Sequence, residues 1–321
     1  MSHINFLIGI LFLGIYQLQG QPVPSLEEKI PFICTFSKDS DPDWGDDDFV
    51  QTFFFVIPEN YKKPVYIRVF DPDVGGLHDE HHHQFNSKTR FTVFGGKGAH
   101  SEPDARGPDP IGNFKSGVQL YSRTFGQDPQ TDNQWVSLGP FNPAEGELQP
   151  GIGGRVLKVV IEGMEGDDGN LYRLFLSESP RENIVIEGAN GFAYEYTFRL
   201  EDKAGSVSHL YPFVAENVQA IKVKIFDYDD QGHIRIISVA RKGDIVALTE
   251  DNKWIESRHR VSKPEVNTSL DIQFIKTKAI KNNNIAVYIT NQFNETMAFY
   301  TSPIGGIPKY SFRIGVKMEE E

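Results

Sequence analysis

The sequence predicts an all-β protein made of two tandem, related β-sandwich (jelly-roll-like) domains, the first carrying a long loop insertion. Three observations predict it. Many short segments alternate apolar and polar residues with period two, no 11-residue window beyond the first twenty residues holds a 3.6-residue period, and blocks of sequence recur in order. The 24 Phe and 12 Tyr give each half the bulk of a sandwich core.

From the N-terminus, the first twenty residues hold no Lys, Arg, Asp or Glu, and Phe6 to Tyr16 is apolar apart from Gly9 and Gly14. That run has the length of a signal-peptide hydrophobic region and falls short of the roughly 20 apolar residues that span a bilayer. Residues 1–20 are therefore expected to be removed near Gly20-Gln21, although only His3 stands where a basic start is usual. Residues 21–48 follow as a leader, 49–202 as the first repeat and 203–321 as the second, divided by the small polar stretch Glu201 to Ser206.

Strands are expected at Phe53 to Ile57, Val65 to Phe70, Arg90 to Phe94, Gly117 to Thr124, Val156 to Glu162, Leu171 to Ser177 and Tyr194 to Leu200, with parallel runs in the second half. Gly166-Asp167-Asp168-Gly169-Asn170 reads as a hairpin turn, since Asp-Gly supplies positive φ angles readily. The repeat itself begins at Val65-Tyr66-Ile67-Arg68-Val69-Phe70-Asp71-Pro72-Asp73, which aligns without a gap on Ile221-Lys222-Val223-Lys224-Ile225-Phe226-Asp227-Tyr228-Asp229, 156 positions later. Asp132-Asn133-Gln134-Trp135-Val136 matches Asp251-Asn252-Lys253-Trp254-Ile255 at an offset of 119. Asn170-Leu171-Tyr172 matches Asn284-Ile285-Ala286, and Tyr196-Thr197-Phe198-Arg199-Leu200 matches Tyr310-Ser311-Phe312-Arg313-Ile314, both at 114. The falling offset places the extra residues of the first copy between Asp73 and Trp135.

Composition narrows the function. A net charge of −12 and a pI near 5.3 argue against a nucleic-acid or anionic-membrane binder. Cys34 is the one cysteine, so no internal disulfide forms, which favours a bacterial origin and a small buried thiol. Asn267-Thr268-Ser269 and Asn294-Glu295-Thr296 fit the N-glycosylation pattern, which matters only in a eukaryotic host.

The carboxylates at the ends of the repeated strands carry the chemistry. Val65, Ile67 and Val69 point inward, Asp71 and Asp73 continue that phase, and Asp227 and Asp229 repeat it after Ile221, Val223 and Ile225. Paired carboxylates at a core edge are costly unless neutralised. Calcium, which takes six to eight oxygens at roughly 2.3 to 2.6 Å in loose geometry, would neutralise them. Further oxygens are at hand in Asp79 or Glu80, in Asp230 of the second copy, and in Asp46-Asp47-Asp48. The alternative is that Asp-x-Asp opens a solvated turn.

Asp132-Asn133 and Asp251-Asn252 read as turns into core strands bearing Trp135 and Trp254. Asp167, Asp168 and Asn170 read as turn residues first and ligands second. His78-Asp79-Glu80-His81-His82-His83 reads as a solvated loop, with transition-metal capture as the alternative.

Phe-Asp-x-Asp after an alternating strand, Gly75-Gly76 behind it and a Tyr-[Thr/Ser]-Phe-Arg strand in each unit resemble the exported bacterial β-sandwich modules of the pre-peptidase C-terminal type. That resemblance implies non-catalytic, calcium-stabilised units for Asp71, Asp73, Asp227 and Asp229, here without an attached enzyme domain. The expected function is a secreted, periplasmic or cell-surface binding or adhesion protein that meets a carbohydrate or a surface protein. A β-sandwich polysaccharide lyase or hydrolase using the histidine loop with Arg90 or Tyr121 is the alternative of another class, and a structural subunit of a surface assembly is the third. No nucleophile elbow, zincin motif, phosphate loop or dinucleotide fingerprint is present.

Overall fold

A computed structural model describes residues 22–108, 114–228, 232–247 and 252–311. The expected signal peptide, Asp229, Asp230, Asp251 and most of the last repeated block lie outside the described residues.

The chain is all-β, and the helical segments among the described residues are short 3-10 turns. In order, the first strands are β1 (Pro22–Val23), β2 (Phe32–Phe36), β3 (Val50–Pro58), β4 (Val65–Phe70), β5 (Lys88–Gly95), β6 (Val118–Phe125) and β7 (Trp135–Phe141). Then come β8 (Glu147–Gln149), β9 (Gly154–Glu165), β10 (Gly169–Ser177), β11 (Asn190–Ala193), β12 (Glu195–Arg199) and β13 (Val207–Leu210). The remainder are β14 (Ala220–Phe226), β15 (Gly232–Ile237), β16 (Asp244–Val246), β17 (Trp254–Arg260), β18 (Asp271–Lys276), β19 (Asn284–Asn291) and β20 (Phe299–Tyr300).

A nine-stranded sheet in the order β17-β14-β19-β12-β2-β10-β4-β7, with β1 beside β10, runs through both halves of the sequence. At its centre β12 pairs antiparallel with β2 through Phe198↔Ile33 and Arg199↔Phe32. Outward from that junction, β10, β4 and β7 lie on one side and β19, β14 and β17 on the other, so the two aligned Phe-Asp strands hold matching places. A seven-stranded sheet, β20-β11-β3-β9-β5-β6 with β8 beside β9, and a four-stranded sheet, β13-β18-β15-β16, complete the structure.

The period-two pattern explains the faces. Val65, Ile67 and Val69 on β4 share one buried cluster with Phe53 and Phe55 on β3 and with Leu157, Val159 and Ile161 on β9. The same cluster continues through Ile33, Tyr196 and Phe198 at the junction to Ile221, Val223 and Ile225 on β14 and Ile272 and Phe274 on β18. The hydrophobic core is thus continuous across both halves, each fully buried aliphatic side chain contributing roughly 1.5 to 3 kcal/mol.

Several expectations are corrected. Phe32–Phe36, within the expected leader, is a central strand buried along its whole length, and a strand covered on both faces shows no alternation to read. The strand expected over Tyr194 to Leu200 is present as β12, but the unexpected β11 just before it pairs with β3 in the seven-stranded sheet, while β12 pairs with β19 and β2 in the nine-stranded one, so the chain changes sheets at Tyr194. The Gly166–Asn170 turn joins β9 to β10, which belong to different sheets, so it is a crossover and not a hairpin. Asp168 fixes this crossover by accepting the main-chain N–H groups of His82 and Asn86 and the Ser87 hydroxyl. Gly169 passes so close to Phe36 that a Cβ there would lie 2.6 Å from the ring.

Trp135 and Trp254 are half-buried on the outer face, and their neighbours Val136 and Ile255 point to the core instead. Trp135 stacks at 5.5 Å on Phe70, and Trp254 at 5.4 Å on Phe226 while donating to Asp47 Oδ2 at 2.6 Å. Cys34 is buried, its thiol pushed up by burial.

Candidate metal centre

Both Phe-Asp strands end in the same local structure. Asp71 and Asp227 leave the strand with φ of +57° and +60°, a region that Asp tolerates better than most side chains. Each turns Oδ1 onto the main-chain N–H of an asparagine that is itself left-handed, Asn133 at 2.7 Å and Asn252 at 2.9 Å. The strand phase expected to carry through Asp71 and Asp73 therefore stops at Asp71. Both side chains are nevertheless buried, 0% and 1% exposed, because segments 74–80 and 126–133 close over the strand end. Val74 donates to the Gly126 carbonyl, and Asp128 N–H donates to Asp73 Oδ2 at 3.3 Å.

Burial alone raises these carboxyls, and their mutual repulsion adds to it. The Asp71 carboxyl is pushed up to about 7 by burial against the opposing Asn133 N–H, with Asp73 and Asp132 adding like charge. Burial also raises Asp73, and raises Asp79 well above the usual carboxylate range. Asp79 is occupied by main chain on both oxygens, accepting from Gly75 N–H at 2.6 Å and Leu171 N–H at 2.7 Å.

Three buried oxygens around Pro72 have no hydrogen-bond donor: Asp71 Oδ2, Asp73 Oδ1 and Asn170 Oδ1. Asn170 is fully buried, and its Nδ2 donates at 3.0 Å to the carbonyl of Pro72, the residue between the two aspartates. Its aligned counterpart Asn284 is satisfied differently. There Oδ1 accepts from Arg199 Nε at 2.8 Å, and Nδ2 donates to the Trp44 carbonyl and to Glu80.

Among the described residues no group of three or more His, Cys, Asp or Glu side chains is placed to hold a metal ion. The oxygen set at Pro72 is of another composition, two carboxylates and an amide, and unsatisfied buried acceptors of this kind suit a hard cation that accepts carbonyl and water oxygens as well. Asp46 is not part of it: it accepts N–H groups from Phe36, Phe49 and Asp48 at a turn, and burial pushes its carboxyl up to about 7. Asp229 and Asp230, the other expected ligands, lie outside the described residues, while Asp227 stands at the matching strand end.

In the histidine loop His81 and His83 are exposed and His78 and His82 are half-buried. His78 packs at 4.7 Å on Phe32, His82 lies flat on Trp44, and His81 packs on Phe85. These three rings each have an aromatic partner of their own. Arg90 forms a two-oxygen ion pair with Glu162, whereas Tyr121 packs against Phe141 and the core, so neither joins the histidines in one site. Asn170, read first as a turn residue and second as a ligand, supplies one of the donor-free oxygens, whereas Arg106 sits in no motif and sequence reasoning passed it over.

Scanned against models of protein families and against curated proteins, the chain matches neither a family nor a curated protein. No helix among the described residues is long and apolar enough to cross a membrane.

Proposed function

We propose that the protein is an exported, non-catalytic binding or adhesion protein of the bacterial periplasm or cell surface, built from tandem related sandwiches and stabilised by calcium. Its ligand, a glycan or a surface protein, meets the elaborated loops of the first half. The observation that carries the calcium reading is the set of three buried, donor-free oxygens on Asp71, Asp73 and Asn170. With an ion there, the two carboxylates remain charged without mutual repulsion, and the 71–80 loop stays closed on β10. Water and main-chain carbonyls would complete the shell of six to eight oxygens.

An ion that binds the folded state alone adds about 2.7 kcal/mol at a hundredfold excess over Kd. For a chain of this size that corresponds to an upward shift of the melting temperature by roughly 5 °C. The expected result is such a shift for the wild type between chelator and calcium, with magnesium weaker because it demands a smaller, stricter shell. Asp71→Asn/Asp73→Asn should lose most of the shift. Because the double variant also relieves repulsion, its melting temperature in chelator should rise above that of the wild type. A wild-type melting curve indifferent to chelator and calcium would sink the reading.

A further inference from the structure

Loop 103–108, part of the insertion of the first half, faces the turn after β19 across a cleft of about 610 Å³. A free volume of that size falls in the range of small-molecule and oligosaccharide sites, roughly 300 to 1,000 Å³. Thr296 ties the two rims together by donating its hydroxyl to the Arg106 carbonyl at 2.8 Å. One wall is aromatic: Tyr194, Tyr300 and Phe213, the last two packed edge to face at 6.2 Å. The amides of Asn217 and Asn294 also line the cleft, as does Glu295, whose Oε2 accepts from Asn291 Nδ2 at 2.7 Å.

Arg106 lines the same cleft. Among the described residues no ion pair involves its guanidinium, which hydrogen-bonds the Tyr194 hydroxyl, and its Nε is a buried donor without an acceptor. A buried donor with no acceptor costs about 1 to 3 kcal/mol, and more where the group is charged, a cost that an incoming anion removes. The planar guanidinium matches a carboxylate two bonds at a time. Aromatic rings offer apolar faces to the C–H side of a sugar ring, and the amides offer donors and acceptors to its hydroxyls.

We propose that this cleft binds an acidic carbohydrate, a hexuronate unit, with Arg106 on the carboxylate and Tyr194 and Tyr300 against the ring. The assignment rests on the reading of the protein as a binding protein whose ligand meets the first-half loops. It names where and what class.

The test is a calorimetric titration of the full mature chain, calcium-saturated, with a hexuronate oligosaccharide, a neutral hexose oligosaccharide of equal length and an acidic peptide. The expected result is at least tenfold tighter binding of the hexuronate oligosaccharide than of the neutral one, weakening with added salt as an ionic contact must. Arg106→Gln should reduce that preference to less than threefold with a melting temperature no lower than that of the wild type, and Arg106→Lys should recover only part of it, since an ammonium lacks the guanidinium fork. Equal affinity for acidic and neutral sugars, tighter binding of the acidic peptide, a preference that survives in Arg106→Gln, or no binding of any probe at millimolar concentration would each overturn the assignment. A wild type that binds neutral sugar equally well fails the assignment while keeping the binding-protein reading. Absence of a calcium-dependent melting shift fails the calcium part alone.

Discussion

Phe198→Ala is expected to lower the unfolding free energy by about 3 to 5 kcal/mol, the usual cost of removing a buried phenylalanine ring. Phe198 is fully buried on β12, opposite Ile33 of β2 and Ile285 of β19, with its ring edge-on to Phe274 at 5.5 Å. It sits where the core of one half passes into the other. Truncation there should shift a single cooperative transition in chemical denaturation, because the buried cluster has no break at which one half would unfold alone. Phe293→Ala, at a ring 63% exposed, should change stability by less than about 0.5 kcal/mol. Two separate transitions, of which Phe198→Ala moved only one, would show that the halves unfold independently despite their shared sheet.

Glu28→Gln is expected to stabilise the protein at pH 9 by a few kcal/mol and to change little at pH 5. Glu28 is fully buried, and among the described residues it has no ion-pair partner. Its Oε2 accepts from Ser25 N–H at 2.6 Å and, more weakly, from the Tyr196 hydroxyl, while Oε1 has no donor. Burial pushes its carboxyl up to about 8 from the ordinary value of 4.5, a difference on the order of a few kcal/mol between the two protonation states. A carboxyl whose folded value is raised contributes its stability in full below the unfolded value near 4.5 and loses it as pH rises through about 8. Wild-type stability should therefore fall between pH 5 and 9, and the glutamine variant should fall less steeply. Asp46, raised to about 7, leaves a residual slope in both proteins. Denaturation curves in which wild type and variant run parallel across that window would remove Glu28 as the source.

Much of the fold was legible because most strands here bury one face. The alternation in Val65 to Phe70 and Ile221 to Phe226 marks both the strands and their inward residues. Legibility ended where that asymmetry ended. Phe32–Phe36 is covered on both sides, so its place at the centre of the sheet left no periodic trace. The switch of sheets at Tyr194 and the crossover at Gly166–Gly169 depend on which distant strand each segment pairs with, and local turn chemistry is the same for a hairpin and for an arch between sheets.

The candidate metal centre was legible in part. Asp71 and Asp73 stood out through the recurrence of Phe-Asp-x-Asp, but the reason given for their burial, strand phase, does not apply after the left-handed turn at Asp71. Loop closure buries them instead. Asn170 reaches the pair from β10, about a hundred residues away in sequence, and only the folded sheet brings it beside Pro72. Arg106 illustrates the same point more strongly, since only the fold shows that its Nε is buried without an acceptor.

The most direct measurement of the calcium claim is a calorimetric calcium titration of the chelator-stripped mature protein, run at pH 6 in two buffers of different ionisation enthalpy. With the Asp71 carboxyl held up to about 7 in the ion-free state, calcium entry must displace its proton. The account predicts saturable uptake whose heat differs between the two buffers, the difference disappearing at pH 9 and the uptake disappearing in Asp71→Asn/Asp73→Asn. No uptake by the wild type at millimolar calcium, or uptake unchanged in the double variant, would contradict it.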